Sequence, residues 1–183
     1  MAMNYLRNGA IILIVSGLIL ALIALLHMAP AQSYPAMPDP ALTPGAALDT
    51  DPTVICAPGY ARAHRVWHDK RGTAAKYGIP WSAAVTMEDD DLVPIGLGGN
   101  NADPRNHWLQ QCLAWENIHN GIRECTAGEA WEKDKLEHQW EQKLHAACRA
   151  GDMILAKQIL DAGHHFFLSG QWAQAIHLKD TLP

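Results

Sequence analysis

The chain has 183 residues, of which 49% are hydrophobic, and its 19 acidic side chains outnumber its 14 basic ones to give a formal net charge of −5. This length suits one modest domain once an apolar N-terminal segment is set aside, and we expect no second domain. The negative charge argues against a strong nonspecific grip on a polyanion.

The first 31 residues have the composition of an export signal. A short start carries Arg7, residues 10–26 form an uncharged apolar run, and Ala29-Pro30-Ala31 places small residues where a signal peptidase cleaves. As a helix this run would be about 26 Å long, slightly shorter than a hydrocarbon core of about 30 Å. We therefore predict an exported protein, periplasmic or secreted, with an inner-membrane anchor over residues 10–26 as the alternative.

The positions of Pro and Gly predict the secondary structure of the next segments. Residues 32–52 are rich in Pro and Ala with little apolar periodicity, which predicts a disordered, partly extended linker. Residues 53–60 predict a short extended piece closed by the Pro58-Gly59 turn. Residues 61–77 predict a helix that ends at Gly78.

Basic side chains are concentrated between positions 62 and 76. Asp69 is the only acid in this stretch, whose basic and histidine side chains are Arg62, His64, Arg65, His68, Lys70, Arg71 and Lys76. Two interpretations stay open, a patch that faces phosphate and a solvated basic loop.

The densest polar chemistry lies over residues 87–111, MEDDDLVPIGLGGNNADPRNHWLQQ. An acidic strand here enters a Gly-rich hairpin loop, and a second short strand is expected near residues 106–109. Alternation puts Glu88 and Asp90 on one face and Asp89 and Asp91 on the other. Two carboxylates about 4 Å apart near a surface repel by roughly 4 kcal/mol. A cation, a raised pKa or full solvation would relieve this repulsion, and a bound divalent metal ion is the simplest of the three.

The remaining chain is predicted to be helical. Residues 110–124 and 128–149 predict two helices, the second with the longest apolar stripe in the chain. Gly151 breaks this pattern, and Asp152 is a plausible N-cap for a further helix over residues 153–162.

The last residues, 164–183, form a tail that we expect to cover the core. It begins with the pair His164-His165, which we interpret as incidental rather than as a metal site, and it ends in an amphipathic stretch over residues 172–178. Together the elements predict an α+β protein that is mainly helical.

Four cysteines, an even number in an exported chain, favour disulfides over free thiols. Three pairings are possible among Cys56, Cys112, Cys125 and Cys148. None of them has CxxC spacing, which argues against a zinc knuckle.

The motifs of residues 87–111 resemble those of small exported bacterial proteins of the HNH endonuclease-like class. That pattern has an acid, a spacer, Asp-His-Leu-Ile/Val-Pro, Leu-Gly-Gly and Asp-Pro-Arg-Asn-Leu-Trp. The matching residues here are Glu88, Asp90-Asp91-Leu92-Val93-Pro94, Leu97-Gly98-Gly99, Asp103-Pro104-Arg105-Asn106 and Trp108. Weaker likenesses on both sides, including KDKLE at 133–137, extend the resemblance over residues 53–163.

The resemblance implies a ββα-metal unit, in which a hairpin is followed by a helix, with supporting helices in one domain over residues 53–163. It also implies the disulfide Cys56–Cys148, which would join the two ends of that domain. The second disulfide would then be Cys112–Cys125, within a connection that is longer than the family's.

The implied activity is hydrolysis of nucleic-acid phosphodiesters by a monomer that binds a divalent metal ion, Mg²⁺ or Mn²⁺ first and Zn²⁺ as the alternative. By this resemblance Glu88 and Asp90 would bind the metal. The third ligand would lie on the helix after the hairpin, where we choose Asn117 over Glu116 and His119.

Other roles also follow from the resemblance. Asn106 would orient the general base or the hairpin, and Arg65 and Arg105 would contact the substrate phosphate. Independently of the resemblance, the later helix carries groups that are usually a solvated face but could reach a metal, namely Asp134, Glu137, His138 and His145.

The chief departure is Asp91, which stands where the family has the histidine that activates water. A carboxylate with an unperturbed pKa of about 3.9 is a weaker base than an imidazole with a pKa of about 6.5, although crowded acids could raise it. His107 is a candidate substitute base, but alternation along the strand puts its side chain opposite that of Asn106. Two hypotheses remain: an HNH-like nuclease with an altered or impaired general base, and a noncatalytic, metal-stabilised binding or structural relative.

Overall fold

The computed structural model of the chain describes residues 37–117 and 123–180. The predicted export signal or anchor and the first five residues of the predicted linker lie outside these ranges. Within them the protein is a mixed α/β structure, about half helical, with seven α-helices and two antiparallel hairpins. No helix in the described part of the chain is long and apolar enough to cross a bilayer.

The elements follow one another in a simple order. Four short helices come first: α1 (Pro52–Ile55), α2 (Tyr60–His64), α3 (Lys70–Lys76) and α4 (Trp81–Ala84). Four strands follow: β1 (Glu88–Asp91), β2 (His107–Gln110), β3 (Ala114–Asn117) and β4 (Arg123–Ala127). Three longer helices complete the fold: α5 (Glu129–Ala150), α6 (Met153–Leu168) and α7 (Gln171–Asp180).

The two predictions for residues 53–77 are corrected. Residues 53–60 are not extended, because Asp51 caps helix α1 by accepting a hydrogen bond from the Thr53 backbone N–H at 2.8 Å. The single predicted helix over residues 61–77 is two helices, α2 and α3. Asp69 starts the second by accepting from the Gly72 N–H at 3.0 Å.

The predicted acidic hairpin is confirmed. Strands β1 and β2 pair antiparallel, with Glu88 opposite Gln110 and Asp91 opposite His107. The connection between them contains a 3₁₀ turn, Ile95–Leu97, followed by the predicted glycine turn at Gly98. All four side chains of β2 are buried, so this hairpin lies inside the domain rather than at its edge.

The predicted disordered linker is wrong for residues 37–52. Thr43 is buried, Ala47 forms an antiparallel bridge with Gly99, and the Leu48 N–H donates to the Gly98 carbonyl at 2.8 Å. A side chain at either glycine would collide with backbone oxygens, of Asp49 at one position and Val93 at the other. The glycine turn therefore leaves room for this N-terminal segment to pack on the hairpin.

The predicted helix over residues 110–124 is also wrong. This stretch contains strand β3, which pairs with β4 in a second hairpin with Trp115 opposite Cys125. The disulfide Cys112–Cys125 crosslinks this hairpin. The second hairpin is thus inserted between β2 and the long helix α5.

The C-terminal helices agree with the prediction. Helix α5 ends at Gly151, which has a φ of 70°, and Asp152 caps α6 by accepting from the Leu155 N–H at 2.9 Å. Helix α6 continues to Leu168 and passes through the predicted boundary between the domain and its tail. The tail covers the core as expected, since Trp172 is buried with its ring 5.6 Å from that of Trp108.

Both expected disulfides are present, Cys56–Cys148 with a sequence separation of 92 and Cys112–Cys125 with a separation of 13. Among the described residues no cysteine is free. The pairing indicates an oxidising compartment outside the cytoplasm.

Removing the two disulfides should have unequal effects on stability. In the chain-entropy account the bridge that closes the longer loop contributes about 4–5 kcal/mol and the shorter about 3 kcal/mol. Urea unfolding without reductant should therefore show a larger loss of unfolding free energy for Cys56→Ser with Cys148→Ser than for Cys112→Ser with Cys125→Ser. Equal losses, or the reverse order, would contradict this ranking.

Candidate functional site

The β1–β2 hairpin presents its acids on two faces, as alternation predicts. Glu88 and Asp90 face helix α5, while Asp89 and Asp91 face α3 and the loop that precedes it. The hairpin therefore separates two groups of titratable side chains.

The first face borders an open cavity of about 800 Å³ between β1, β4 and α5. Its lining is mainly acidic, with basic groups among the carboxylates. The acids are Glu88, Asp90, Asp91, Glu124, Asp134, Glu137 and Glu141, and the other charged or titratable side chains are Arg65, Arg123, Lys135 and His138.

Three of these acids come together at the base of the cavity. Asp90 on β1 and Asp134 and Glu137 on α5 each offer a carboxylate oxygen, and the three oxygens all lie within 4.8 Å of one another. On α5 the two acids are three positions apart, which places both on the face that meets β1. The group has the oxygen ligands that Mg²⁺ and Mn²⁺ prefer.

A buried ammonium group neutralises part of this charge. Lys133 is fully buried and donates to Asp90 Oδ2 at 2.7 Å, to the Asp91 carbonyl at 2.6 Å and to Glu137 Oε1. Its Nζ also lies over the rings of Trp108 and Phe167. Burial works against the charge of Lys133, but Asp90 and Glu137 outweigh it and raise its pKa.

The single positive charge of Lys133 does not neutralise all the carboxylates of this cluster. Burial, followed by the charge of Asp90, raises the pKa of Glu88 to about 8 and that of Asp134 to about 7. Burial also raises the pKa of Glu137. Glu88 Oε2 is buried and makes no hydrogen bond within the described residues. A divalent cation would stabilise the ionised form of all these groups.

The structure brings together only some of the predicted metal ligands. Glu88 and Asp90 line the cavity, whereas Asn117 is exposed on β3, pairs with Arg123, and does not line it. The choice of Asn117 assumed a helix over residues 110–124. Helix α5 instead supplies Asp134 and Glu137, two acids interpreted from the sequence chiefly as part of a solvated helix face.

On the second face, Asp91 is held by two amides. Asn101 Nδ2 donates to its Oδ2 at 2.8 Å, and Asn106 Nδ2 donates to its Oδ1 at 3.1 Å. Asn106 is itself fixed, because its Oδ1 accepts from the Val93 N–H at 2.9 Å. Burial, followed by the charge of Asp90, raises the pKa of Asp91 to about 6. The carboxylate thus has nearly the base strength of an imidazole.

Two histidines lie beside Asp91. His107 Nε2 is 3.6 Å from Asp91 Oδ1, and the rings of His68 and His107 meet edge to face at 3.9 Å. His107 reaches Asp91 together with Asn106 because Asn106 precedes strand β2 in a 3₁₀ turn, where side chains do not alternate. Burial, followed by the charge of His68, lowers the pKa of His107 to about 4, so the ring is neutral at pH 7.

His68 was not predicted as part of the site. It lies in the loop between α2 and α3, and its only sequence signal was membership of the basic stretch. Loop positions carry no periodicity, so spacing could not place it against β1 and β2.

Of the two predicted phosphate-binding residues, only one lines the acidic cavity. Arg65 lines the acidic cavity, whereas Arg105 is bound through its guanidinium to Asp103 and does not line the cavity. Other cations of the basic stretch support the backbone: Lys76 donates to the Pro104 and His107 carbonyls, each at 2.7 Å. Lys76 therefore has a structural role.

The chain matches no protein-family model, no curated protein and no solved structure. Its function is therefore inferred from its own residues. The acidic cavity offers oxygen atoms of the kind that a hard divalent cation prefers, and the second face holds a carboxylate of raised pKa beside two imidazoles.

Replacing the buried ammonium should be costly. Lys133→Met leaves Asp90 and Glu137 without their shared cation, and loss of one partner of a buried ion pair costs about 3–5 kcal/mol. Lys135→Met is the matched control, because Lys135 is more than one-third exposed and pairs with Glu132, an arrangement worth about 0–1 kcal/mol. Urea unfolding at pH 8 measures both, and equal losses would contradict the buried role of Lys133.

Stability should also depend on the charge of Glu88. Because its folded pKa of about 8 lies above its ordinary value of 4.5, the folded state binds more protons between these values. Its contribution to stability is complete below pH 4.5 and is lost as the pH rises through about 8. In chelator-treated buffer, Glu88→Gln should gain unfolding free energy over wild type from pH 5 to pH 8, by at most about 1.4 kcal/mol per pH unit. If the unfolding free energies of wild type and Glu88→Gln changed equally with pH, the raised pKa of Glu88 would be contradicted.

Proposed function

We propose that the chain is a divalent-metal-dependent phosphodiester hydrolase of the HNH-like type, with its metal ion held in the acidic cavity. The observation that carries this proposal is the meeting of Asp90, Asp134 and Glu137, whose oxygens lie within 4.8 Å of one another. Carboxylates crowded in this way, with raised pKa values, are typical of a site that binds a cation.

The connectivity supports the proposal. A ββα-metal unit needs a hairpin that carries one ligand and a following helix that carries the others. Here β1 carries Asp90, and α5 carries Asp134 and Glu137. We infer that the disulfide-linked β3–β4 hairpin is an insertion within such a unit, which leaves the ligand-bearing strand and helix in contact.

The donor set fits Mg²⁺ or Mn²⁺, since all of its atoms are carboxylate oxygens. When bound, such an ion supplies charge stabilisation to a phosphodiester during hydrolysis. The chain's own residues supply the remainder. Arg65, Arg123 and Lys135 line the same cavity and can bind the phosphates of a nucleic acid.

The general base in this proposal is Asp91, which lines the acidic cavity although Asn101 and Asn106 hold its carboxylate on the second face. Its raised pKa of about 6 gives it basicity near that of the histidine it replaces. Asn106 and Asn101 fix its carboxylate, as an orienting residue fixes a base. Proton transfer to Asp91 would leave a neutral carboxylic acid that both amides still orient.

A noncatalytic, metal-stabilised binding or structural relative is the second candidate, and two observations favour it. Lys133 already binds both Asp90 and Glu137, which lowers the demand for a metal ion. Asp91 is 6% exposed, which limits its access to water.

The first test is metal-dependent nicking. The purified full chain should nick supercoiled plasmid or cleave RNA with Mg²⁺ or Mn²⁺, and EDTA should abolish this activity. Glu137→Gln and Asp134→Asn should each lower the rate by at least roughly 10–100-fold. Asp161→Asn, an exposed carboxylate on α6 outside the cavity lining, is the control and should act as wild type. A folded protein that cleaves neither substrate with any of these ions would refute the hydrolase.

Substitution of the base separates the two candidates. If Asp91 is the base, Asp91→Asn should lower nicking by about 10²- to 10⁴-fold and Asp91→His should keep or raise it. Asp90→Ala in the Asp91→His background should remove the activity, because the metal ion loses a ligand. An inactive wild type with an active Asp91→His variant would identify a relative that lost only its base, and inactivity of both would favour the noncatalytic module.

A further inference from the structure

The second face of the β1–β2 hairpin holds a separate group of possible ligands. We propose that His68, Asp91 and His107 form a binding site for Zn²⁺. This inference goes beyond the hydrolase, because its ligand atoms face α3 and the preceding loop rather than α5. Binding there can be measured whether or not the acidic cavity is catalytic.

The ligand spacing fits a small transition-metal ion. One ring nitrogen from each histidine and one oxygen of Asp91 all lie within 4.8 Å of one another. The closest defined pair, His107 Nε2 and Asp91 Oδ1, is 3.6 Å apart. Bonds of about 2.0–2.2 Å in a tetrahedral zinc site put neighbouring ligand atoms about 3.3–3.6 Å apart. Small side-chain movements would therefore close the site around an ion.

Two buried atoms point to the same conclusion independently. His107 Nδ1 and Asp89 Oδ1 face each other at 4.0 Å on side chains that are each 5% exposed, and neither makes a hydrogen bond within the described residues. A histidine that binds a metal through Nε2 carries its proton on Nδ1 and donates it to a neighbouring carboxylate. Metal binding would thus give both atoms the partner they lack.

The other contacts of His107 and His68 are ones that a metal ion would displace. His107 Nε2 lies 3.0 Å from the Asn101 carbonyl oxygen, so a metal ion on this nitrogen would replace its proton and require the carbonyl to move away. His68 Nδ1 lies 3.3 Å from the Asp89 carbonyl oxygen, and its Nε2 contacts Asn101 Nδ2 beside Asp91. His68 Nε2 thus accepts a hydrogen bond from Asn101 Nδ2, which a metal ion would displace.

The carboxylate ligand is already oriented. Asn101 and Asn106 each donate one hydrogen bond to Asp91, as outer residues do around metal-binding carboxylates. A cavity of about 340 Å³, bordered by His68, His107 and the 98% exposed Trp67, opens onto the group. An ion can therefore reach the site from solvent.

The chemistry of the donors selects the class of metal. Two imidazoles and one carboxylate suit Zn²⁺, whereas the all-oxygen group of the acidic cavity suits Mg²⁺ or Mn²⁺. Zn²⁺ has no redox chemistry, which suits a compartment oxidising enough to form both disulfides. An ion held there would take a lone pair of Asp91 and withdraw it from general-base chemistry.

Co²⁺ is the spectroscopic probe for this site. The full chain, stripped of metal and kept in excess Mg²⁺ to compete at the acidic cavity, should bind one equivalent of Co²⁺ with the visible absorption of a four- or five-coordinate site. Zn²⁺ should displace the Co²⁺ and remove that absorption. A folded wild type that binds no Co²⁺ under these conditions would overturn the proposal.

Variants locate the binding. His68→Gln and Asp91→Asn should each weaken Co²⁺ binding by more than the roughly 10–100-fold that loss of an outer residue costs. His165→Ala, an exposed histidine on α6, and Glu137→Gln, in the acidic cavity, should leave it unchanged. His68 lies in a loop, so its variant should keep the wild-type circular dichroism. Wild-type affinity in both ligand variants, or loss of binding in Glu137→Gln, would overturn the assignment.

Discussion

Four consecutive carboxylates in a half-buried strand impose the constraint to which the rest of this structure responds. Buried like charges repel strongly unless each finds a cation, a donor or a proton. Strand alternation sends two acids to each side of the hairpin. One side is balanced by Lys133 from helix α5, and the other by amides, a threonine and two imidazoles.

Two chemically different sets of side chains therefore lie on opposite faces of a hairpin whose strands have only four residues each. The side facing α5 offers oxygen atoms and an open acidic cavity. The side facing α3 offers nitrogen and oxygen atoms in a more enclosed setting. Asp90 and Asp91 are neighbours in the chain yet belong to opposite groups, and the charge of Asp90 raises the pKa of Asp134 on one side and of Asp91 on the other.

The parts of the fold that the sequence predicts correctly are those with local signals. Alternation and a glycine turn indicate the β1–β2 hairpin, the apolar stripe indicates α5, and Asp152 indicates the start of α6. The errors have nonlocal causes. Residues 37–52 are ordered by backbone hydrogen bonds to the Gly98 turn, which leave no periodic trace in the sequence. The predicted helix over residues 110–124 is replaced, in its described part, by strand β3 and the start of β4, in a hairpin that a disulfide crosslinks.

The residues of the candidate sites were likewise predictable only where the signal is local in the sequence. Glu88, Asp90 and Asn106 could be predicted because the motif keeps them close in sequence. His68 could not, because a loop brings it to the hairpin. Lys133 was also missed, since a lysine in a charged helical segment is usually at the surface. Its burial, with Nζ over the rings of Trp108 and Phe167, shows that it is internal.

The internal position of Lys133 bears on the order of events during maturation. A domain whose acids depended wholly on a metal ion would stay unfolded until the ion arrived, as small zinc modules do. Here the chain carries its own cation to Asp90 and Glu137, so the core around α5 can close and the disulfides can form first. In the proposed hydrolase, metal acquisition would then be a late step that follows folding, and its timing would depend on the ion supply of the compartment rather than on the folding of the chain.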